Sequence, residues 1–295
     1  MAITIQQILT LITKRLGASG IDTAALDARM LVAHALKLPI ESLVRDAQRV
    51  LDAYEIEAIE ILVKRRVQRE PISHIIGMRG FWKHDFLVSK DVLTPRPDSE
   101  TMIEGLVKLR PEKNAPLTIL DLGTGSGCLL LSVLDEYPQS RGVGVDKSEA
   151  ALAVAHANAE RLKLTIRADF IVSDWLSNVD INLRADIVLM NPPYIPTREL
   201  LTLEKDVRDY EPHLALDGGE DGLDDYRKIF SQLSLYLSNH PLILIEVGVN
   251  QAANVAEIGR TSGMKLHSIL PDIAGIDRVV VLELPDNKTT ARGMV

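Results

Sequence analysis

The sequence predicts an α/β protein: a mostly parallel, doubly wound sheet with one antiparallel strand, preceded by a small helical bundle. Three observations predict it. From residue 117 onward, short apolar runs alternate with helical patterns in five βα-type units. The end of that region reads as two strands joined by a short Gly-containing connection. The first 70 or so residues carry only helical periodicity. A chain of 295 residues, 46% hydrophobic and 25% charged, has room for a medium domain plus a small one, each with a core.

In order, Ile5, Ile8, Leu9 and Ile12 fall at i, i+3, i+4 and i+7 and make one apolar stripe. Gly20 reads as a helix stop, and Asp22 as the N-cap of the helix carrying Leu26, Met30 and Ala33. A short helix follows Pro39. Asp52-Ala53-Tyr54-Glu55 reads as a capping box opening a helix through Ile56, Ile59 and Val63. A helical bundle is therefore expected over 1–72, either a stabilising cap or a docking module. At Arg69-Glu70-Pro71 the pattern changes, and Ile75-Ile76-Gly77, Phe81-Trp82 and Asp85-Phe86-Leu87-Val88 read as short extended pieces of a hairpin linker over 73–93. Residues 94–286 then form the sheet domain, with strands expected at Thr118–Leu122, Gly142–Asp146, Arg167–Val172, Ala185–Met190, Leu242–Val247, Lys265–Leu270 and Arg278–Leu284. Residues 287–295 read as a polar, frayed tail.

A net charge of −8 argues against a basic stripe for a phosphate backbone. One cysteine excludes an intramolecular disulfide framework and a Cys-rich zinc site. No secretion signal opens the chain, and no apolar run reaches membrane-spanning length. The expectation is a cytoplasmic monomer with no nucleic-acid or membrane partner. His74 and His84 flank the hairpin without a third ligand, so no metal is expected.

Asn191-Pro192-Pro193-Tyr194 directly follows a strand candidate, at the edge where open α/β sheets bind ligands. The Asn oxygen accepts hydrogen bonds, neither proline has an N–H, and the carbonyls of Asn191 and Pro192 sit in a stiff turn. Tyr194 offers a flat face. Together these suit an amide or exocyclic amine; taken alone, the same four residues read as a strand-ending turn.

Upstream, Asp121-Leu122-Gly123-Thr124-Gly125-Ser126-Gly127 closes the first strand of the sheet and leads into a helix from Cys128 to Leu134. Glycines there let the backbone approach a ligand, beside the free N–H groups of a helix N-terminus. The third glycine arrives one position early for a dinucleotide fingerprint, and no Gly-Lys-Ser/Thr follows as a P-loop requires. Asp146 ends the second strand where an acid accepts from ribose hydroxyls, and Ser148 caps the next helix. Asp174-Trp175 follows the third strand, where an acid and an indole suit a purine. The series outlines an adenosine-bearing ligand next to an amine clamp. Arg96, held between two prolines in Thr94-Pro95-Arg96-Pro97-Asp98-Ser99-Glu100, either opens a capped helix or positions substrate. Cys128 at a helix start is open to a lowered pKa, though such a residue is more often simply packed. Glu246 borders the site or serves structure, and the stretch from Ile195 to Gly222 is long enough to act as a lid.

With these residues the chain resembles the class I S-adenosylmethionine-dependent methyltransferases, and more closely the bacterial peptide chain release factor glutamine methyltransferases, the HemK/PrmC family. The resemblance rests on Arg69-Glu70-Pro71 with Gly77 and Phe81-Trp82, Pro95-Arg96-Pro97 with Glu100, the run Asp121 to Gly127, Asn191 to Tyr194, Tyr210-Glu211-Pro212, Ala215-Leu216-Asp217-Gly218-Gly219 with Asp221-Gly222, and Asp272 to Arg278. It implies a Rossmann-like, seven-stranded sheet, S-adenosylmethionine as cofactor without a metal, and class 1 release factors as protein substrate. The implied reaction methylates the side-chain nitrogen of the glutamine in their Gly-Gly-Gln motif.

On matching positions it implies a cofactor site at Gly123, Thr124, Gly125, Ser126, Gly127, Asp146, Asp174, Trp175 and Asn191. A catalytic clamp of Asn191, Pro192 and Tyr194 is implied with it, and a substrate site that adds Pro193 and Arg96. The helical bundle becomes a release factor docking module. One departure stands in Ala274-Gly275-Ile276-Asp277-Arg278, where Ile276 occupies a position at which a basic residue is common. Rival readings are a glutamine methyltransferase of a large-subunit ribosomal protein, a nucleic-acid exocyclic amine methyltransferase, and a non-catalytic nucleotide binder.

Overall fold

The computed structural model describes residues 3–285. They divide into two compact units, the first running to Met78 and taking in Leu203–Tyr210, the second formed by Arg79–Thr202 and the chain from Glu211 onward. The tail expected at 287–295 lies outside the described residues.

The first unit is helical: α1 (Ile5–Ala18), α2 (Ala24–Leu36), α3 (Ser42–Arg45), α4 (Ala53–Val67), α5 (Ile72–Ile76) and, from later in the chain, the one-turn α9 (Lys205–Arg208). Capping boxes open α1, at Thr4 and Gln7, and α4, at Asp52 and Glu55, each satisfying two backbone N–H groups. Ile5, Ile8, Ile12 and Leu16 form one buried stripe against Leu31, Val32, Ile59 and Val63. Two local readings need correction. The N-cap of α2 is Thr23, not Asp22, because the Thr23 carbonyl receives the N–H groups of Leu26 and Asp27 that start the helix. Ile75 and Ile76 are helical, not extended: the Pro71 carbonyl accepts from His74 and Ile75, and Gly77 in the left-handed region (φ 78°) ends the turn.

Arg66 is buried in this unit, with Nε 2.7 Å from Asp27 Oδ2 and Nη1 2.6 Å from Asp206 Oδ2. Arg69 Nε also reaches Asp206 Oδ1, at 2.5 Å, and Tyr210 donates to the Gln68 carbonyl at 2.9 Å. These polar links tie the 203–210 segment to the helices.

The second unit opens with the hairpin β1 (Met78–Phe81) and β2 (His84–Leu87), then a 3-10 turn Pro97–Ser99 leading into α6 (Glu100–Leu109). A seven-stranded sheet follows, built from β3 (Thr118–Leu122), β4 (Arg141–Asp146), β5 (Ala168–Val172), β6 (Ala185–Met190), β7 (Leu237–Glu246), β8 (Lys265–Pro271) and β9 (Asp277–Glu283), in the order β5-β4-β3-β6-β7-β9-β8. Only β9 runs antiparallel to its neighbours. β7 starts at Leu237, five residues before the expected Leu242; the intervening Ser238-Asn239-His240-Pro241 are polar or strand-breaking, and the strand enters through a register shift opposite Ala185 and Ile187.

Side chains alternate across the central strands. Leu120, Leu122, Val188, Met190, Ile243 and Ile245 pack on one face with Tyr226, Ile229 and Phe230 of α10 (Asp224–Leu233) and Val255 of α11 (Ala252–Thr261). Ile119, Ile187, Leu189, Leu242 and Leu244 pack on the other with Met102, Ile103 and Leu106 of α6 and Leu130 and Val133 of α7 (Cys128–Glu136). α8 (Glu149–Arg161) links β4 to β5 and starts at Ser148, whose side chain accepts from the Ala151 N–H. The chain runs outward from β3 through β4 to β5, then returns to β6. That reversal opens a crevice at the carboxyl ends of β3 and β6, where ligands of such sheets bind. Among the described residues, no helix is long and apolar enough to cross a membrane.

Candidate active site

A cavity of about 220 Å³ opens in the second unit at that edge. Its walls come from the ends of successive strands: Gly123 to Ser126 after β3, Asp146 ending β4, Asp174 and Trp175 after β5, and Asn191 and Pro193 after β6. Arg96 and Ser99, from the turn before α6, complete the wall beside Asn191.

The glycine loop is held by the neighbouring strand. Gly123 and Thr124 donate their N–H groups to the Val145 carbonyl at 2.8 and 2.9 Å. Gly125 N donates to Asp146 Oδ2 and Ser148 N to Asp146 Oδ1, both at 2.9 Å. Asp146 therefore stands fixed at the rim, with lone pairs left over on both oxygens. Burial pushes its carboxyl pKa up, and the backbone N–H groups of Ser148 and Gly125 pull it back. At Gly125 a side chain would meet nothing within 4 Å, so the backbone there faces open space. Gly127 carries a packing constraint as well. It stands outside the cavity wall, and a Cβ there would lie 3.1 Å from Leu131 and 3.3 Å from Ala155, so this glycine serves the packing of α7 against α8.

Beneath the loop, Asp121 is buried. Its Oδ2 accepts from the Thr124 hydroxyl at 2.6 Å and its Oδ1 has no partner. Burial pushes its pKa up to about 7, against the lowering effect of the Thr124 bond. An acid inside an otherwise apolar strand, Thr118-Ile119-Leu120-Asp121-Leu122, was the sequence signal for this site beyond its place in the glycine motif.

Trp175 has its backbone in the left-handed region (φ 54°), and its indole N–H donates to Asp225 Oδ1 at 2.8 Å. Asp225 was not foreseen, because it comes from the start of α10 rather than from a strand end. Asp174 faces cations, with Oδ2 2.7 Å from Lys228 Nζ and 3.9 Å from Lys147 Nζ.

After β6, Asn191 and Pro193 line the cavity, while Pro192 and Tyr194 are not part of its wall. The Tyr194 ring packs toward the core and against Gly248, where a Cβ would stand 3.0 Å from Cδ2. Gln251, also unforeseen, pins this turn from behind: its Nε2 donates to the Tyr194 carbonyl at 2.9 Å and its Oε1 accepts from Gly248 N at 3.0 Å. Arg96 is anchored, Nη2 lying 2.6 Å from Oε2 of the buried Glu211. Burial raises the Glu211 pKa and Arg96 lowers it. The Cys128 thiol is pushed up to about 12 by burial, so the lowered value open to a helix-start cysteine does not occur. Among the described residues, no group of three or more His, Cys, Asp or Glu side chains is placed to hold a metal ion.

The arrangement places a backbone cradle, a fixed acid and an indole on one side of a cavity, and an acceptor-rich turn on the other. The chain matches family models of the PrmC N-terminal domain over residues 7–77 and of the methyltransferase small domain over residues 99–218. It is 41% identical over 281 residues to a release factor glutamine methyltransferase of Caulobacter vibrioides, an alignment covering 95% of this chain and 96% of the relative. It is 41% identical over 271 residues to a protein of the same name from Cereibacter sphaeroides, covering 92% and 95%. Among solved structures, a methyltransferase from Pyrococcus furiosus has the same fold at 14% identity, with a TM-score of 0.51 over 77% of this chain and 98% of that one.

Proposed function

This chain belongs to the family of release factor glutamine methyltransferases, and from that premise we propose that it transfers a methyl group from S-adenosylmethionine to the side-chain amide nitrogen of the Gly-Gly-Gln glutamine in class 1 release factors. One observation carries the reading at the level of the site: Gly125 and Asn191, from the ends of two adjacent parallel strands, open into the same cavity.

The residues fit the cofactor. Asp146 presents its remaining lone pairs to ribose hydroxyls, and Trp175, aimed by Asp225, covers the adenine, with Asp174 at its edge. Gly123, Thr124, Gly125 and Ser126 give the methionine portion a wall of backbone, and the unpartnered oxygen of Asp121 lies beneath. When bound, S-adenosylmethionine supplies a methyl group on a positively charged sulfur.

An amide nitrogen is a poor nucleophile because its lone pair is delocalised. The Asn191 oxygen accepts one of its N–H bonds, and the carbonyl of Pro192, the residue between the two wall residues Asn191 and Pro193, accepts the other, so that lone-pair density builds toward the methyl group as transfer proceeds. Pro193 keeps the turn stiff and free of donors, and Tyr194 backs it from the core. Arg96, held by Glu211, aligns the substrate chain. The amide proton leaves to water. The helical unit docks the release factor, a role supported by the family match over 7–77 and by exposed apolar side chains such as Val44, Tyr54 and Ile61.

The test supplies labelled S-adenosylmethionine with an unmodified release factor, a ribosomal protein fraction and duplex DNA, and maps the label by mass spectrometry. Label on the Gly-Gly-Gln glutamine is expected; label only on ribosomal protein or DNA overturns the reading. Asn191→Ala is expected to cut transfer by about 100-fold or more while cofactor binding survives.

A further inference from the structure

We infer that Glu246, at the carboxyl end of β7, is a positioning residue for methyl transfer: through Ser99 it orients the Asn191 amide so that its oxygen, not its nitrogen, faces the substrate. The inference rests on the proposed reading that Asn191 accepts from the glutamine amide.

The Ser99 hydroxyl lies 2.5 Å from Glu246 Oε2, and the Asn191 Nδ2 lies 3.5 Å from Ser99 Oγ. Ser99 and Asn191 line the cavity; Glu246 is buried behind them and does not. An ionised carboxylate only accepts, so the single Ser99 proton goes to Glu246. The Ser99 oxygen is then left as an acceptor, and the group that can satisfy it is the Asn191 NH2. With its nitrogen committed in this direction, Asn191 has its oxygen free for an incoming N–H. Burial raises the Glu246 pKa, and the Ser99 hydroxyl and the Arg278 guanidinium draw it partly back down. A side-chain amide at 246 keeps the shape but both donates and accepts, so the direction of the chain is lost. Asn191 is then free to turn its NH2 toward the substrate NH2, donor against donor.

The experiment uses the full chain, an unmodified release factor and labelled S-adenosylmethionine. It measures kcat and KM for Glu246→Gln, Ser99→Ala and Asn191→Ala, with the affinity for S-adenosylhomocysteine by calorimetry and folding by thermal unfolding. The expected result is a kcat lowered about 10- to 100-fold in Glu246→Gln, with KM and cofactor affinity within about twofold of wild type. A buried carboxylate with a purely structural part would not give that split in a folded variant. Near-normal kcat in Glu246→Gln with an inactive Asn191→Ala overturns this inference and leaves the clamp standing, as does a fall in cofactor affinity that accounts for the lost rate. Near-normal turnover in Asn191→Ala overturns the clamp and this inference together. Should Glu246→Gln fail to fold, Ser99→Ala decides: a lowered kcat supports the chain of contacts, and wild-type kcat overturns it.

Discussion

The indole of Trp175 lies against the α-carbon of Gly123, so close that a Cβ there would stand 3.2 Å from Cζ3 and 3.4 Å from Cη2. Gly123 also sits at φ 76°, where any L side chain costs about 1–2 kcal/mol. Two effects therefore oppose a side chain at this position, and one of them acts on the residue assigned to the adenine.

Gly123→Ala is expected to push Trp175 aside and to weaken S-adenosylhomocysteine binding by about 10-fold or more. Gly125→Ala is the contrast, since a Cβ there meets nothing within 4 Å in the protein itself. It should weaken binding too, by filling the cavity, but leave the ligand-free tryptophan fluorescence unchanged. Calorimetry and fluorescence separate the two. Equal fluorescence changes in both variants would contradict the contact.

The buried Asp121 gives a pH dependence with a definite sign. Its folded pKa, about 7, lies above the ordinary carboxylate value because burial disfavours the charge. Between about pH 4 and 7 the native state holds a proton that the unfolded chain has released, so this group's contribution to stability is present at low pH and lost as pH rises through that window. Asp121→Asn removes the ionisation. The variant is expected to gain stability relative to wild type at pH 8 more than at pH 5 in ligand-free thermal unfolding. An unchanged difference between the two pH values would count against it.

In the helical unit, Arg66 and Asp27 are both buried, and Asp206 shares the guanidinium. Arg66→Ala strips the buried Asp27 of its cation and leaves Asp206 with Arg69 alone, and is expected to cost about 3–5 kcal/mol. Replacing Arg66 and Asp27 together by Met and Leu should cost much less, since no buried Asp27 charge is then stranded. Denaturant unfolding of the full chain, followed by helical circular dichroism, reads both.

Much of the sheet was legible from local pattern. β3 and β6 match their expected ranges residue for residue, because buried parallel strands read as mostly apolar runs, here each interrupted by a single acid, Asp121 or Asp186. β7 was truncated in the reading because its polar beginning carries no such signal. In the helical unit, the capping box at Asp52 and Glu55 was visible since it is encoded within four residues, whereas Ile75-Ile76 suits helix and strand alike and Pro71 with Gly77 decided between them. At Gly127 the motif alone carried no sign of a second constraint: a Cβ there would crowd Leu131 and Ala155, which lie near it only through the packing of α7 and α8.

By itself the sequence determined which residues close each strand. Chain direction is the reason: in a parallel sheet every carboxyl end meets the same edge, so Gly123, Asp146, Trp175 and Asn191 had to converge once the strands were recognised. Which partners hold those residues was decided only by the tertiary structure. Trp175 meets Asp225 from 50 residues away, Arg96 meets Glu211 from 115, and Ser99 meets Glu246 from 147. Such pairs depend on how helices and loops pack over the sheet, and no local periodicity encodes that.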